Sequence, residues 1–241
     1  MISVRTKLYF SMENLILQQF FVFTFPERHD KMCSYLYFLF LRGQTMDSNF
    51  FALISRMRYI ARWGLMRNAL PENIQEHSHM VAVLAHALGV IRRDIFHQPC
   101  DVNALATAAL YHDASEILTG DLPTPIKYHN AEIMSAYHAV EDLAVQKLLG
   151  MLPPELRATY ADVLAEDKDG DIYPLVKAAD KLSAYIKCIE ERKAGNNEFL
   201  SAEAQTRAAL EASPLPEVQY FLEHFIPAFE RDLDELGAIG Q

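Results

Sequence analysis

The amino-acid sequence predicts an all-α fold in a single domain that follows an unusual N-terminal stretch. Segment 74–92 places apolar residues at three- and four-residue intervals, the spacing of an amphipathic helix. The segment from Asn103 to Leu118 is rich in alanine and begins with Asn103, a favourable N-cap residue. No segment alternates apolar and polar residues over a length that would indicate a strand. These three observations favour a helical bundle.

The remaining helices are separated by glycine and proline. The sequence TGDLPTP at positions 119–125 predicts a rigid loop, because two prolines and a glycine cannot continue a helix. Segment 219–229 is more apolar than the surface helix of a monomer needs, which suggests contact with a second subunit. Further helices are expected at about 129–149, 154–166, 172–193, 197–212 and 216–236.

Composition and charge narrow the functional classes. Of the 241 residues, 51% are apolar and 22% are charged, which is typical of a globular protein. The formal net charge of −10 argues against a protein that binds a nucleic-acid duplex, because such a protein needs cationic surface. Cys33, Cys100 and Cys188 form no CxxC pair, which disfavours a disulfide scaffold or a thiolate zinc site and suits a reducing cytoplasm.

Residues 1–45 differ in composition from the rest of the chain. They contain no alanine, whereas residues 46–241 contain 29, and they hold seven of the fourteen phenylalanines. The longest clean apolar stretch, Tyr35 to Leu41, is far shorter than the roughly 20 residues that span a bilayer. We therefore expect residues 1–45 to be an extension outside the fold, with Met46 as the natural start. A leader that touches a membrane or binds a partner is the alternative.

Four polar residues interrupt the apolar helices. His112 and Asp113 lie in the apolar segment ALATAALYHDASEIL, where burying an imidazole beside a carboxylate is costly unless both are paired. A divalent metal would pair with both groups. His77 and Asp180 lie in two other apolar segments. Each residue alone is better explained as a surface or satisfied core residue, but the set H…HD…D indicates a metal site.

This set of four residues resembles the sequence motif of the HD-domain superfamily of metal-dependent phosphohydrolases. Three longer segments are similar to its bacterial 5′-deoxynucleotidases of the YfbR type: RWGLMRNALPENIQEHS (62–78), LYHDASEILTGDLPTPIKY (110–128) and IKCIEERKAGNNEFL (186–200). The resemblance covers about 47–236 and leaves the extension without a counterpart. It implies an HD-type helical bundle, a homodimer, and hydrolysis of 2′-deoxyribonucleoside 5′-monophosphates to deoxynucleoside and phosphate.

The resemblance also implies the groups that perform the chemistry. His77, His112, Asp113 and Asp180 would bind one divalent transition metal such as Mn²⁺ or Co²⁺, and these residue types do not choose among such ions. The ion would polarise the phosphoryl group and lower the pKa of a bound water. Glu116, on the same helical face as the HD pair, would orient or deprotonate the water or transfer a proton to the leaving oxygen.

The substrate side follows from the same resemblance. Arg62 would grip the phosphate and stabilise the charge that develops there, which makes it both a binding and a catalytic residue. Trp63 would press against C2′ of the sugar and exclude a ribose hydroxyl. Asp121 would hold the sugar hydroxyl. The other residues implied to contact substrate are Leu122, Pro123, Thr124, His77, Asp113 and Asp180.

Two other functions stay open at this stage. An HD phosphohydrolase could act on a cyclic nucleotide, a nucleoside triphosphate or another phosphomonoester, although the LTGDLPTP loop and the Arg62-Trp63 pair argue against this. A non-catalytic, nucleotide-binding helical module is the second alternative. Its sign would be the loss of Glu116 or of a metal ligand, and all of them are present.

Overall fold

The structure is a computed structural model and is described here for residues 47–127, 129–165 and 170–237. The extension expected at residues 1–45, together with Met46, lies outside the described residues, so the division of the chain at this point stays a prediction. The part from Ser48 onward forms one unit by itself.

Helices account for the regular structure of the described residues, and no strand occurs among them, which confirms the all-α fold. An isolated antiparallel bridge joins Ala61 to Asn73. No helix in the described part of the chain is long and apolar enough to cross a membrane. In chain order the helices are α1 (Phe50–Ile54), α2 (Ile74–Val90), α3 (Val102–Tyr111), α4 (Glu116–Thr119), α5 (Thr124–Lys127), α6 (Ala131–Gly150), α7 (Pro154–Leu164), α8 (Tyr173–Lys193), α9 (Leu200–Glu211), α10 (Pro216–His224) and α11 (Ile226–Phe229).

The main core lies where α2 packs against α3 and α8. Leu88, Leu105 and Leu182, one from each helix, are fully buried there. Gly89 lets α2 approach α3 closely, because a Cβ atom at this position would lie 2.9 Å from Leu105 Cδ2. The close packing of these three helices fixes the positions of the residues that they carry toward one end of the core.

Helix α3 differs from the prediction at both ends. It begins at Val102, and its N-cap is Asp101, whose carboxylate accepts hydrogen bonds from the backbone N–H groups of Asn103 and Ala104 at 3.1 and 3.0 Å. The expectation that Asn103 caps the helix was therefore wrong. The helix ends at Tyr111 instead of continuing to Leu118. Over residues 112–115 the backbone forms turns whose hydrogen bonds join residues i and i+3, in place of the i to i+4 bonds of an α-helix.

The loop after α4 is shorter than predicted. Thr124 and Pro125 belong to α5, where the backbone N–H groups of Ile126 and Lys127 donate to the carbonyl of Pro123. A proline is tolerated in the first turn of a helix because its missing N–H would have no partner there.

The C-terminal helix predicted at 216–236 is also broken. It divides into α10 and α11 at Phe225, since Pro227 cannot continue a helix from the preceding turn. Within segment 219–229, Phe221 and Ile226 are buried in the chain's own core. Intramolecular packing thus accounts for part of the apolar character of this segment, whereas Phe225 is 44% exposed, and contact with a second subunit stays a prediction.

Candidate active site

Four predicted metal ligands converge from three parts of the fold. His77 lies in the first turn of α2, whose start is fixed by the side chain of Asn73, which accepts from two backbone N–H groups. His112 and Asp113 lie in the turn after α3, and Asp180 lies in the middle of α8. The ligand atoms of His77, His112 and Asp180 all lie within 4.8 Å of one another.

Asp113 completes this metal-ligand cluster, which comprises His77, His112, Asp113 and Asp180. Its Oδ2 lies 3.1 Å from His112 Nε2 and 3.6 Å from His77 Nε2. On the other side, Asp180 Oδ1 lies 3.0 Å from His77 Nε2. Because His112 and Asp113 stand in a turn instead of a continuous helix, the two adjacent side chains reach the same site.

The histidine hydrogen bonds indicate which ring nitrogens are available. Nδ1 of His112 lies 2.8 Å from the carbonyl oxygen of Ala109, which only accepts, so Nδ1 donates and Nε2 of the neutral ring carries the lone pair. Nδ1 of His77 lies 3.1 Å from Ser183 Oγ. Both Nε2 atoms are buried and face the carboxylate oxygens of Asp180 and Asp113, at 3.0 and 3.1 Å, without forming a hydrogen bond. Two such nitrogens beside two carboxylates fit a divalent metal.

The electrostatics of the cluster agree with this fit. Burial opposes ionisation of Asp113 and Asp180, but the neighbouring imidazoles outweigh it and hold the pKa of each carboxyl well below its usual range. Burial also lowers the pKa of His112, yet the attraction of Asp113 exceeds this effect and raises the pKa overall. Both carboxyl groups are thus ionised, and beside neutral imidazoles their two negative charges would balance a divalent cation.

Glu116 lies at the start of α4, three residues after Asp113, and its side chain is almost fully buried. Burial, and then the charges of Asp113 and Asp121, raise the pKa of Glu116 to about 10. Its Oε2 atom has no hydrogen-bond partner. A buried carboxyl group without a structural partner, next to a charged cluster, is a candidate for proton transfer.

The positively charged guanidinium group of Arg62 lies beside the metal-ligand cluster. It lies in the irregular segment before α2, where its Nη1 donates to Glu72 Oε2 at 3.1 Å. Its Nη2 lies 4.0 Å from Asp180 Oδ1. Burial lowers the pKa of Arg62, but Asp180 and Glu72 outweigh it and raise the pKa, so the guanidinium stays charged.

Trp63 is held by contacts with both its ring and its backbone. Its indole N–H donates to Glu72 Oε2 at 3.1 Å, and its ring meets Phe199 edge-on with centroids 5.3 Å apart. Its backbone N–H donates to the carboxyl group of Asp121, whose pKa is raised by burial. Arg62, Trp63 and Asp121 therefore lie together, and their contact with substrate stays a prediction.

The rest of the predicted loop contacts are less defined. Leu122 and Pro123 follow Asp121 and are half-buried, and Thr124 begins α5, but its side chain lies outside the described structure. Contact of these three residues with substrate stays a prediction.

Sequence reasoning missed the residues that fasten the segment carrying Arg62 and Trp63. Glu191, fully buried at the end of α8, accepts from the backbone N–H groups of Ala69 and Leu70 at 2.8 and 3.0 Å. It also accepts from Asn196 Nδ2 at 2.7 Å and from Lys187 Nζ. Glu191 and Asn196 belong to the segment 186–200 on which the resemblance partly rests, but no charge or apolar pattern marks them as anchors.

Comparison with known proteins identifies the family of this chain. Residues 49–229 match the family described as 5′-deoxynucleotidase YfbR-like. The chain belongs to the YfbR-like family. It is 50% identical over 192 residues to the 5′-deoxynucleotidase YfbR of Shigella boydii, and equally to that of Escherichia coli K12, covering 79% of this chain and 96% of each relative.

A solved structure supports the same relationship. The crystal structure of an HD-domain phosphohydrolase from Listeria innocua aligns with a TM-score of 0.67 and 26% identity, over 75% of this chain and 88% of that one. The resemblance drawn from the sequence and the HD-type helical fold are thus both confirmed.

Proposed function

We propose that this chain is a metal-dependent 5′-deoxynucleotidase that converts 2′-deoxyribonucleoside 5′-monophosphates into deoxynucleosides and phosphate. The observation that carries the proposal is the placement of Arg62 only 4.0 Å from Asp180 of the metal-ligand cluster, with Trp63 and Asp121 beside it. The Arg62 guanidinium, which would bind the phosphate, and the Trp63 indole, which would contact the sugar, thus lie next to the candidate metal ligands. The names of the relatives in the YfbR-like family point to the same activity.

His77, His112, Asp113 and Asp180 would hold the metal ion, and Mn²⁺, Co²⁺ and similar ions all suit these donors. When bound, such an ion supplies Lewis-acid activation of a phosphoryl oxygen and of a water molecule. The buried Nε2 atoms of the two histidines, which lack other partners, support this assignment.

Arg62 and Glu116 supply the remaining chemistry of hydrolysis. The water oxygen forms a bond to phosphorus while the bond from phosphorus to O5′ breaks, so the water loses a proton and O5′ gains one. The Arg62 guanidinium binds the phosphate oxygens and stabilises their charge as this bond breaks. Glu116 exchanges the protons with the water or with O5′, and no structural hydrogen bond at its Oε2 competes with this role.

Trp63 and Asp121 would distinguish deoxyribose from ribose. The indole presents an apolar wall at C2′, where a hydroxyl group would be crowded and would lack a partner. Asp121 would accept a hydrogen bond from a sugar hydroxyl, and Leu122, Pro123 and Thr124 would also contact the substrate. The sequence shows no motif that would recognise a particular base, so the enzyme would accept several bases.

We further propose that the enzyme is a cytoplasmic homodimer. Val140 and Leu143 on α6 are 49% and 63% exposed, which is the kind of apolar surface that a second copy could cover. Cys100 and Cys188 are free thiols, which suits a reducing compartment. Light scattering coupled to size-exclusion chromatography tests the dimer directly, and a mass of one chain would contradict it.

The test of the activity is phosphate release from dAMP and AMP by the full chain, first stripped of metal and then supplied with Mn²⁺ or Co²⁺. Metal-dependent release from dAMP with little from AMP is the expected result. Asp180→Asn should abolish it, whereas Asp142→Asn, at an exposed site on α6, should not. Equal release from both nucleotides would contradict deoxy selectivity. No release from folded, metal-loaded protein would overturn the activity and favour another substrate or a binding module.

A further inference from the structure

We propose that Glu72 is a positioning residue that holds the side chains of both Arg62 and Trp63 through one of its carboxylate oxygens. Phosphate binding by Arg62 and exclusion of the ribose 2′-hydroxyl by Trp63 would therefore depend on the same contact. The inference rests on the proposed function of Arg62 and Trp63. Glu72 does not itself need to touch the substrate, because it acts through these two neighbours.

The geometry at Glu72 joins the two substrate-side groups. Its Oε2 accepts from Arg62 Nη1 and from Trp63 Nε1, each at 3.1 Å. Only 16% of the Glu72 side chain is exposed, so these hydrogen bonds are shielded from solvent. A hydrogen bond to an ionised group is about twice as strong as one between neutral groups, so the carboxylate is a suitable anchor for both.

The backbone places Glu72 opposite the pair that it holds. The N–H of Arg62 donates to the carbonyl of Glu72 at 2.9 Å, and the N–H of Ile74 donates to the carbonyl of Ile60 at 3.0 Å. These bonds surround the bridge between Ala61 and Asn73. The short antiparallel pairing thus sets the side chain of Glu72 beside those of Arg62 and Trp63.

The conformation of Trp63 shows why it needs an anchor. Its φ angle of +58° lies in the left-handed region, which is unfavourable for residues other than glycine. Such a conformation persists when surrounding contacts over-determine it. The Trp63 carbonyl accepts from Met66 N–H, and its ring meets Phe199, but the hydrogen bond to Glu72 is the one that orients the indole N–H.

Tryptophan fluorescence tests the hold on the indole without metal or substrate, because Trp63 is the one tryptophan in the chain. Glu72→Ala should increase quenching of the emission by acrylamide and shift the emission to longer wavelength. Glu72→Gln, which keeps an acceptor oxygen without the charge, should lie between Glu72→Ala and the wild type. Glu76→Ala, at an exposed position in the first turn of α2, is the matched control and should leave the emission unchanged. Unchanged emission in Glu72→Ala would overturn the proposed contact.

Kinetics separate positioning from a general structural effect. Loss of the Arg62 anchor should lower kcat/KM for dAMP and AMP alike, by about 10²-fold for a misplaced binding group. Loss of the Trp63 anchor should, in addition, lower the ratio of kcat/KM for dAMP to that for AMP by about tenfold. Glu72→Ala should show both effects, and Glu72→Gln should recover part of each. A fall in both activities with an unchanged ratio would overturn the coupling.

Trp63→Phe isolates the indole contact, because it keeps an aromatic ring and removes the N–H donor. Its ratio of kcat/KM for dAMP to that for AMP should fall. The double variant Trp63→Phe/Glu72→Ala should have lower kcat/KM for both nucleotides than Trp63→Phe, but the same ratio. Independent falls in the ratio from the two changes would overturn the proposal. Should Glu72→Ala fail to fold, as judged by circular dichroism, Trp63→Phe alone decides, and an unchanged ratio would reject the contact's role. A wild type that does not discriminate dAMP from AMP would instead overturn the proposed function, while the fluorescence comparison still decides whether Glu72 holds Trp63.

Discussion

The two halves of the candidate active site are built in different ways. The metal-ligand cluster stands on α2, on the turn after α3 and on α8, which pack against one another in the main core. Arg62 and Trp63 instead lie in an irregular segment, which is held by carboxylates at Glu72 and Glu191. Apolar packing therefore positions the metal side, whereas a few charged hydrogen bonds position the substrate side.

This difference predicts different responses to mutation. A side chain held by helix packing is supported by many apolar contacts, so that loss of one peripheral interaction leaves its position unchanged. A segment held by the buried carboxylate of Glu191 and the largely shielded carboxylate of Glu72 depends on each of them, because a buried polar partner left unsatisfied is costly. The following variants test how far the contrast holds.

The largest effect should come from the metal side itself. We expect His112→Asn to lower phosphate release from dAMP by about 10³-fold or more, since a bound metal supplies several kcal/mol to the transition state. Metal content by mass spectrometry should fall in parallel, and a chelator should produce the same loss in the wild type, reversed by Mn²⁺. His129→Asn, at an exposed position, is the control. Full activity in His112→Asn would remove this residue from the metal site.

Glu116→Gln should lower kcat by about 10²-fold, because it removes a proton-transfer group. Metal content and thermal stability should stay close to those of the wild type, since Oε2 of Glu116 makes no hydrogen bond that the change would break. Glu132→Gln, exposed on α6, serves for comparison. Should Glu116→Gln lose its metal as well, the residue would belong to the metal side and not to proton transfer.

Glu191→Gln should destabilise the protein by about 3–5 kcal/mol, because it leaves the buried ammonium group of Lys187 without its counter-charge. Urea unfolding measures this change in the free energy of unfolding. Glu223→Gln, exposed on α10, should change it little. A Glu191→Gln variant as stable as the wild type would show that the substrate-side segment does not depend on this anchor.

Acid should weaken the same anchor. Burial raises the pKa of Glu191, but hydrogen bonds from Lys187, Leu70, Asn196 and Ala69 outweigh it and lower the pKa to about 2 from an ordinary 4.5. Since the native pKa is depressed, its contribution to stability is complete above about pH 4.5 and is lost as the pH falls toward 2. Between these values Glu191→Gln should lose less stability than the wild type, and equal losses would contradict the assignment.

The smallest effect concerns the start of α3. Asp101→Ala should lower the free energy of unfolding by about 1 kcal/mol through loss of the N-cap, whereas Asn103→Ala should be nearly neutral. The turnover of dAMP per folded molecule should be unchanged in both, because packing still holds the turn at His112. A loss of dAMP turnover in Asp101→Ala beyond its loss of stability would show that apolar packing alone does not position the metal-ligand cluster.

The sequence was sufficient to select the residues that converge in the metal-ligand cluster, because its signals there are local and repetitive. Apolar periodicity located α2 and α8, and a polar residue within an apolar run, as at His77 and Asp180, stands out against that pattern. The break at His112 was not predicted, because alanine-rich composition continues through it. Composition reports helix propensity but not the three-residue hydrogen bonds that end α3.

The substrate side was predicted only through resemblance. Arg62 and Trp63 have no periodic pattern around them. Their carboxylate partner Glu72 is 9 to 10 residues away, and Glu191, which holds Ala69 and Leu70 of the same segment, is 121 to 122 residues from those two. Glutamates are common on exposed helix faces, so that residue type alone does not distinguish an anchor from a solvated side chain. Such partnerships become visible only when the chain is folded.

Helix α8 relates the two halves of the site through its own periodicity. Asp180, Ser183, Lys187 and Glu191 are spaced by three, four and four residues, so they form one stripe along the helix. The stripe serves the metal-ligand cluster at one end and the segment carrying Arg62 and Trp63 at the other, about 16 Å along the axis. The helix therefore fixes where Ala69 and Leu70, at the far end of the segment carrying Arg62 and Trp63, lie relative to the metal-ligand cluster. One residue inserted between Ser183 and Lys187 would turn the far end by about 100° and put the two ends out of phase, with every ligand still present.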